Sequence, residues 1–378
     1  MEHHIRVLIV EASAAIRQRI AAILAGEPGI DVSHAATAKE ALAGLESEKP
    51  DLITIALDLP DLDGLSFTRL VMEKDPVPIV VVSEVKDSDA LLRAFEIIEA
   101  GALAVVETPG SREAEDQQTR EETSEEAQEE AQLESQLESQ LEFRRLSRQL
   151  IATIKAMSEV KLVRRRSNLG NRSAAQPVEH IDSRPEKMLL AVGASTGGPA
   201  VIQRLLKELP PDFPVPMVIA QHIAPGFLTG LLGWLSATTG YRVEIAAHNQ
   251  KLEPGTAYLC PDGYQTGVSA TGRFVINDQS LINGVRPSVA YLFRTAAEAY
   301  GPRAVGVLLS GMGRDGAREL KLIRDQGGIT IVQDAQSSVV HGMPGEAIKL
   351  SAACHVVGSS ELARLITRIV LGESRPVR

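Results

Sequence analysis

The sequence predicts two α/β units, each a doubly wound parallel sheet, joined by a long charged segment. Three observations carry this expectation. Apolar runs of strand length alternate with stretches of helical periodicity in two blocks, residues 5–109 and 188–372. The length of 378 residues itself suggests two domains. The acidity is also local: residues 111–142 hold twelve acids and two bases, which accounts for the whole net charge of −10 and leaves 37 acids and 37 bases elsewhere. The expected division is a first domain over 1–109, a charged helical or disordered linker over 110–187, and a second domain over 188–372.

Composition removes several classes of function. Cys260 and Cys354 are too few for a disulfide framework or a cysteine metal cluster. The N-terminus does not read as a signal peptide and no apolar run reaches 18 residues, so a cytoplasmic protein without membrane insertion is expected. One basic helix with few aromatics gives no nucleic-acid surface.

In the first block, strands are expected at Ile5–Val10, around Val32, at Leu52–Ile55, and over 78–82 and 103–106, with helices over 14–24, 38–45, after Gly64, and over 90–99. Ligands of such a sheet bind beyond the carboxyl ends of its strands. The motifs there are Val7 to Val10 followed by Ser13-Ala14, Pro50-Asp51-Leu52-Ile53-Thr54, Pro60-x-x-Asp63-Gly64-Leu65, Val82-Ser83, and Gly101-Ala102 before Pro109. By these the block resembles the receiver domain of bacterial response regulators, a flavodoxin-like fold.

That resemblance implies two acids holding Mg²⁺ after the first strand, a phosphoaccepting aspartate after the third, and a lysine before the last proline. Here Glu11-Ala12 stand at the acid pair, Ala56 at the acceptor and Thr108 at the lysine. An alanine forms no acyl phosphate, and one glutamate is a poor Mg²⁺ site. A pseudo-receiver is expected, with no phosphoacceptor and no metal; substitution by Asp58 or Asp51 is the alternative.

In the linker, Leu133, Leu137 and Leu141 recur at i, i+4 and i+8 as one narrow helical stripe. A solvated spacer helix is expected, with a weak intra- or intermolecular contact as the alternative. The charge then reverses over 143–166, where Leu146, Leu150, Ile154 and Met157 mark an apolar face suited to an acidic partner or the upstream Glu tract. Residues 167–185 read as the flexible boundary.

In the second block, strands are expected over 188–192, 216–220, 305–309, 329–332 and 355–357, with helices over 200–209, 226–235, 289–299, 317–326 and 361–371. Segments 256–259, 265–268 and 273–276 read as a strand insertion. The first strand runs into Gly193-Ala194-Ser195-Thr196-Gly197-Gly198-Pro199. This fits the G-x-S-x-G turn that holds a nucleophile between strand and helix. Pro199-Ala200 excludes a P-loop, which needs Lys-Ser/Thr there, and the Rossmann glycine spacing fails.

Three loops follow parallel strands on one rim: Ser195, Gln221-His222, and Ser310-Gly311-Met312-Gly313-Arg314-Asp315-Gly316. Serine, histidine and carboxylate are the parts of an acyl-transfer triad. His341 before Gly342-Met343-Pro344 is the rival base, and Asp334 the rival acid; His355 reads as core.

Taken with Arg286-Pro287-Ser288-Val289, these motifs resemble the CheB family of chemotaxis protein-glutamate methylesterases. The resemblance spans the receiver, residues 151–166 and residues 188–371. It implies Ser195 as nucleophile, His222 as general base and acid, and Asp315 as orienting carboxylate, with no cofactor. The oxyanion candidates are the backbone amides of Thr196 and Met312. It further implies hydrolysis of glutamate γ-methyl esters, and glutamine deamidation, on methyl-accepting chemoreceptors. A chemotaxis histidine kinase would stand upstream of a receiver that covers the site until phosphorylated. Gln265, Ala290, Ala335 and His341 depart from the family pattern and bear on substrate fit. A non-catalytic regulatory or scaffold protein of a two-component pathway is the alternative.

Overall fold

The structure, a computed structural model, describes residues 4–84, 88–110, 125–160, 188–210 and 212–372. It divides into two compact units, Met1–Leu162 and Val163–Arg378. The Glu-rich stretch 111–124 and the expected boundary 167–185 lie outside the described residues. Among the described residues no helix is long and apolar enough to cross a membrane.

The first unit alternates β1 (Ile5–Val10), α1 (Ala14–Ala25), β2 (Ile30–Ala35), α2 (Ala38–Ser47), β3 (Leu52–Ile55), α3 (Gly64–Lys74), β4 (Ile79–Ser83), α4 (Ser88–Glu99), β5 (Ala104–Glu107) and α5 (Glu125–Ser158). All strands pair in parallel in the order β2-β1-β3-β4-β5. The central strands are buried throughout, as expected when helices cover both faces. Local chemistry starts the helices: Ser13, Thr37 and Asp63 accept from the amides of Ile16, Glu40 and Ser66. Glu40 in turn accepts from the amide of Ala36, the residue before the cap, which ties the entering chain to the first turn.

Helix α5 differs from the expectation for its C-terminal half. Leu146, Leu150, Ile154 and Met157 do not await a partner but are at most 2% exposed, with α5 packed against β3, β4, β5 and α1 of its own unit. The physical reason is the sheet, which needs apolar cover on both faces. Each such side chain contributes about 1.5–3 kcal/mol by leaving water. Lys155 adds an ion pair to Glu27 in the loop after α1.

The second unit comprises β6 (Leu189–Ala194), α6 (Gly198–Glu208), β7 (Met217–Gln221), α7 (Leu228–Thr239), β8 (Arg242–Ile245), β9 (Thr256–Leu259), β10 (Gln265–Val268), β11 (Phe274–Asn277), α8 (Val289–Tyr300), β12 (Ala304–Leu308), α9 (Ala317–Asp325), β13 (Ile329–Gln333), α10 (Gly342–Lys349), β14 (His355–Val357) and α11 (Leu362–Val370). A seven-stranded parallel sheet runs β14-β13-β12-β6-β7-β9-β8, and β10 and β11 form an antiparallel hairpin. The chain therefore starts at β6, builds outward through β7, and returns to β12 on β6's other side. The crevice beside β6 is the switch point where open α/β sheets hold their ligands.

Two expectations differ from the structure. Residues 256–259 belong to the main sheet, bonded to β7 and β8, and not to the hairpin insertion. His355 is half-buried on the edge strand β14 and not in the core. The Gly342-Met343-Pro344 segment opens α10, because proline in a first turn removes no intrahelical hydrogen bond.

Candidate active site

Three strand ends build the site. β6 delivers Ser195, half-buried at the turn into α6. Gly197 holds φ at 77°, where a Cβ would meet the Val339 side chain, so this turn requires glycine. Ser195 donates its amide to Ser310 O (3.0 Å), and its carbonyl accepts from Gly198 N (2.8 Å) and Gln221 Nε2 (2.9 Å). The backbone around the serine is thus fixed from three directions. Its position before α6 also exposes it to the positive end of the helix dipole.

β7 delivers His222, whose amide bonds to Ala194 O (2.9 Å). Neighbouring strand ends thereby carry the serine and the histidine side by side. Among the described residues no hydrogen bond joins Ser195 Oγ to His222, whereas His222 Nε2 lies 3.0 Å from Asp315 Oδ2. That contact assigns the ring's Nε2 proton to the carboxylate and leaves Nδ1 as the nitrogen available for the serine.

Asp315, only 4% exposed, follows β12 in the glycine-rich loop. Its carboxylate also accepts from Val289 N (2.6 Å) and Ala290 N (3.3 Å) at the start of α8, and from Asn283 Nδ2 (2.7 Å). Burial alone would raise its pKa, but the bonds from His222, Asn283 and Val289 outweigh it and hold the carboxylate below its ordinary value. Asp315 is therefore an oriented anion beside the imidazole. Asp334, the rival acid, instead binds Ser337 through its amide and hydroxyl.

The β12 loop also brings Gly311 against the serine. A Cβ on Gly311 would lie 2.7 Å from Ser195 Cβ, so only glycine permits this approach. Ser310 ties the loops together, donating Oγ to Thr196 O (2.7 Å) and accepting from Val340 N (2.9 Å). The amides of Thr196 and Met312 make no hydrogen bond among the described residues, and Met312 is exposed. His341, the rival base, bridges to Gly311 through its backbone and lies 3.4 Å from Ser338 Oγ through Nδ1; burial lowers its pKa while Asp334 opposes the shift. It sits on the rim, with no contact to Asp315 among the described residues.

Two supporting residues escaped sequence reasoning. Asn283 sits at φ 54° before Gly284 at φ 81°, the two central positions of a tight turn closed by Ile282 and Val285. Gln265, read as a departure bearing on substrate, is wholly buried and donates Nε2 to Ser280 O and Val285 O, while its Oε1 accepts from Ser288 N. It thus staples the turn bearing Asn283 to the start of α8, both of which hold Asp315. The Asn-Gly pair was the available signal. On the same rim, Asp262 after β9 accepts from Gly226 N (3.3 Å) in the His222 loop, and burial pushes it up to about 6.

The first unit's equivalent rim carries Glu11, Ala56, Ser83 and Thr108 at the ends of β1, β3, β4 and β5. Ala56 is buried with its amide on Val10 O. Asp58 is exposed and paired with Arg93, and Asp51 lies at the opposite, amino end of β3 bonded to Arg6. Burial raises the pKa of Glu11, opposed by the Ser13 amide it accepts from.

A family model of the CheB methylesterase matches residues 190–366, and one of the response regulator receiver domain matches residues 7–114. Protein-glutamate methylesterase/protein-glutamine glutaminase 1 of Syntrophus aciditrophicus (strain SB) is 41% identical over 372 residues, covering 97% of this chain and 98% of its own. Protein-glutamate methylesterase/protein-glutamine glutaminase 2 of Methanospirillum hungatei JF-1 is 40% identical over 368 residues, covering 96% and 97%. The crystal structure of the Thermotoga maritima CheB methylesterase catalytic domain aligns with 49% of this chain and 99% of its own at 32% identity, with a TM-score of 0.48.

Proposed function

The chain belongs to the CheB methylesterase family and carries that family's receiver domain, and from this premise we propose that it hydrolyses γ-methyl esters of glutamate on chemoreceptors with Ser195, His222 and Asp315. The observation that supports these roles is the 3.0 Å contact between His222 Nε2 and Asp315 Oδ2, at strand ends flanking the one that bears Ser195. Ser195 Oγ attacks the ester carbonyl while His222 Nδ1 takes its proton. Asp315 keeps Nε2 protonated and stabilises the imidazolium. The tetrahedral oxyanion faces the amides of Thr196 and Met312. His222 then returns the proton to the leaving methoxide, and a water activated by the same nitrogen releases the glutamate. With a receptor glutamine as substrate, the same steps release ammonia.

Control of this site runs without aspartyl phosphorylation. Support comes from Ala56 at the acceptor position, from Asp58 turned to Arg93, and from Asp51 at the wrong end of β3. Methanol release from radiomethylated chemoreceptor by the full chain tests the activity. Ser195→Ala, His222→Ala and Asp315→Ala should each abolish or cripple it, and undiminished release by Ser195→Ala would end the assignment. Labelled acetyl phosphate should leave the chain unlabelled and its activity unchanged. Stable labelling lost in Asp58→Ala would overturn the phosphorylation-independent reading alone.

A further inference from the structure

Helix α5 uses one face to complete the first unit, through Leu146, Leu150, Ile154 and Met157. At 100° per residue its opposite face collects Glu126, Glu130, Leu133, Leu137, Leu141, Arg144 and Arg148. Leu137 and Leu141 are 59% and 56% exposed, and Arg144 and Arg148 are exposed beside them. Neighbouring apolar residues left in water on one face of a helix mark an interaction surface. The order of residue types says which partner fits.

Spacings along this face run 4, 3, 4, 4, 3, 4, so the positions are palindromic about Leu137. The chemistry is anti-palindromic about the same point, with acids at the N-terminal end and arginines at the C-terminal end. We propose that α5 pairs antiparallel with α5 of a second copy of this chain, on a two-fold axis through Leu137. In that register Leu137 meets its own copy and position 133 meets 141. Position 130 meets Arg144, and position 126 meets Arg148. The two-fold axis makes each of the three off-axis contacts occur twice. Parallel pairing would set Glu126 on Glu126 and Arg148 on Arg148, so like charges exclude it.

The paired stretch, residues 126–148, is about 33 Å long at 1.5 Å per residue. A single helix pair of this length buries less than a standard interface, which predicts a reversible dimer sensitive to concentration and salt. Because the inner face stays on its own sheet, association leaves the fold of the first unit unchanged. Neither Ser195 nor the reaction proposed for it takes part in this pairing.

Sedimentation equilibrium of the full chain from 1 to 200 µM should show the apparent mass doubling with concentration, and the midpoint moving to higher concentration as salt is raised. Leu137→Glu should stay monomeric throughout, with unchanged circular dichroism and methanol release. Arg144→Glu with Arg148→Glu should also be monomeric alone, and should recover dimers when mixed with Glu126→Arg, Glu130→Arg chains. Cysteine placement reads the register in a Cys354→Ser background with oxidised glutathione. Leu137→Cys should cross-link to itself, whereas Leu133→Cys and Leu141→Cys should cross-link to each other and not to themselves. A monomer at every concentration overturns the proposal, as does association that survives Leu137→Glu, or self-cross-linking by all three cysteines.

Discussion

Replacing Asn283 by alanine should slow the enzyme without weakening its hold on substrate. The side chain touches no reacting group; it donates to Asp315 Oδ1 at 2.7 Å and so acts through the carboxylate on His222. A hydrogen bond to a charged group is worth about 1.5–3 kcal/mol. Asp315 retains its bonds from His222, Val289 N and Ala290 N, so the loss falls at the lower end, about 1.5 kcal/mol, or roughly tenfold in kcat. KM should stay within about twofold of wild type, since binding of substrate is untouched. The pH profile supplies the second readout. In the proposed mechanism the ionised carboxylate is the working form, and Asn283 helps hold its pKa below the ordinary value. Removing that donor raises the pKa, so activity on the acid side should be lost at a higher pH than in wild type. Alanine also strains a backbone at φ 54°, a conformation glycine accepts freely. Asn283→Gly separates the two effects, because it removes the donor while relieving the strain. Methanol release across pH 4–9 for the three proteins decides. Wild-type kcat in Asn283→Ala, or full recovery in Asn283→Gly, would refute the positioning role.

Three further outcomes follow from the same geometry. Gly311→Ala drives a methyl group to 2.7 Å from Ser195 Cβ and onto Met343 Sδ; kcat should fall by about 100-fold from misplacement of the proposed nucleophile, with a lower melting temperature. Gln265→Ala frees both Val285 O and Ser288 N from their staple, and should cost about 1–3 kcal/mol of stability in urea unfolding together with a fall in kcat like that of Asn283→Ala. Asp262 has a folded-state pKa near 6, above its unfolded value, so its contribution to stability is full below pH 4 and is lost as pH rises through 6. Asp262→Asn should therefore melt higher than wild type at pH 8 and lose that gain near pH 4, as followed by thermal circular dichroism.

Much of the fold was legible because parallel strands covered on both faces leave long apolar runs, and β1, β3, β4, β6, β7 and β12 are such runs. Their order also placed Ser195, His222 and Asp315 on one rim before any distance was known. Residues 242–245 were missed because Arg-Val-Glu-Ile at a sheet edge carries no such run, and β9 was misassigned because its partners β7 and β8 are fixed only by tertiary pairing. The apolar face of α5 was visible, but a hydrophobic stripe does not say which surface covers it. Asn283 and Gln265 were harder still: each matters through bonds to residues 15 to 32 positions away, which no local pattern encodes.

The most direct test of the central claim is to catch the covalent intermediate. Full-length protein mixed with methylated chemoreceptor, quenched in acid within a turnover and digested, should yield a peptide in which Ser195 is esterified to a receptor glutamate. His222→Ala should show that adduct sharply reduced, and Ser195→Ala should show none. An adduct on another residue, or methanol release by Ser195→Ala at the wild-type rate, would contradict the assignment of Ser195 as the nucleophile.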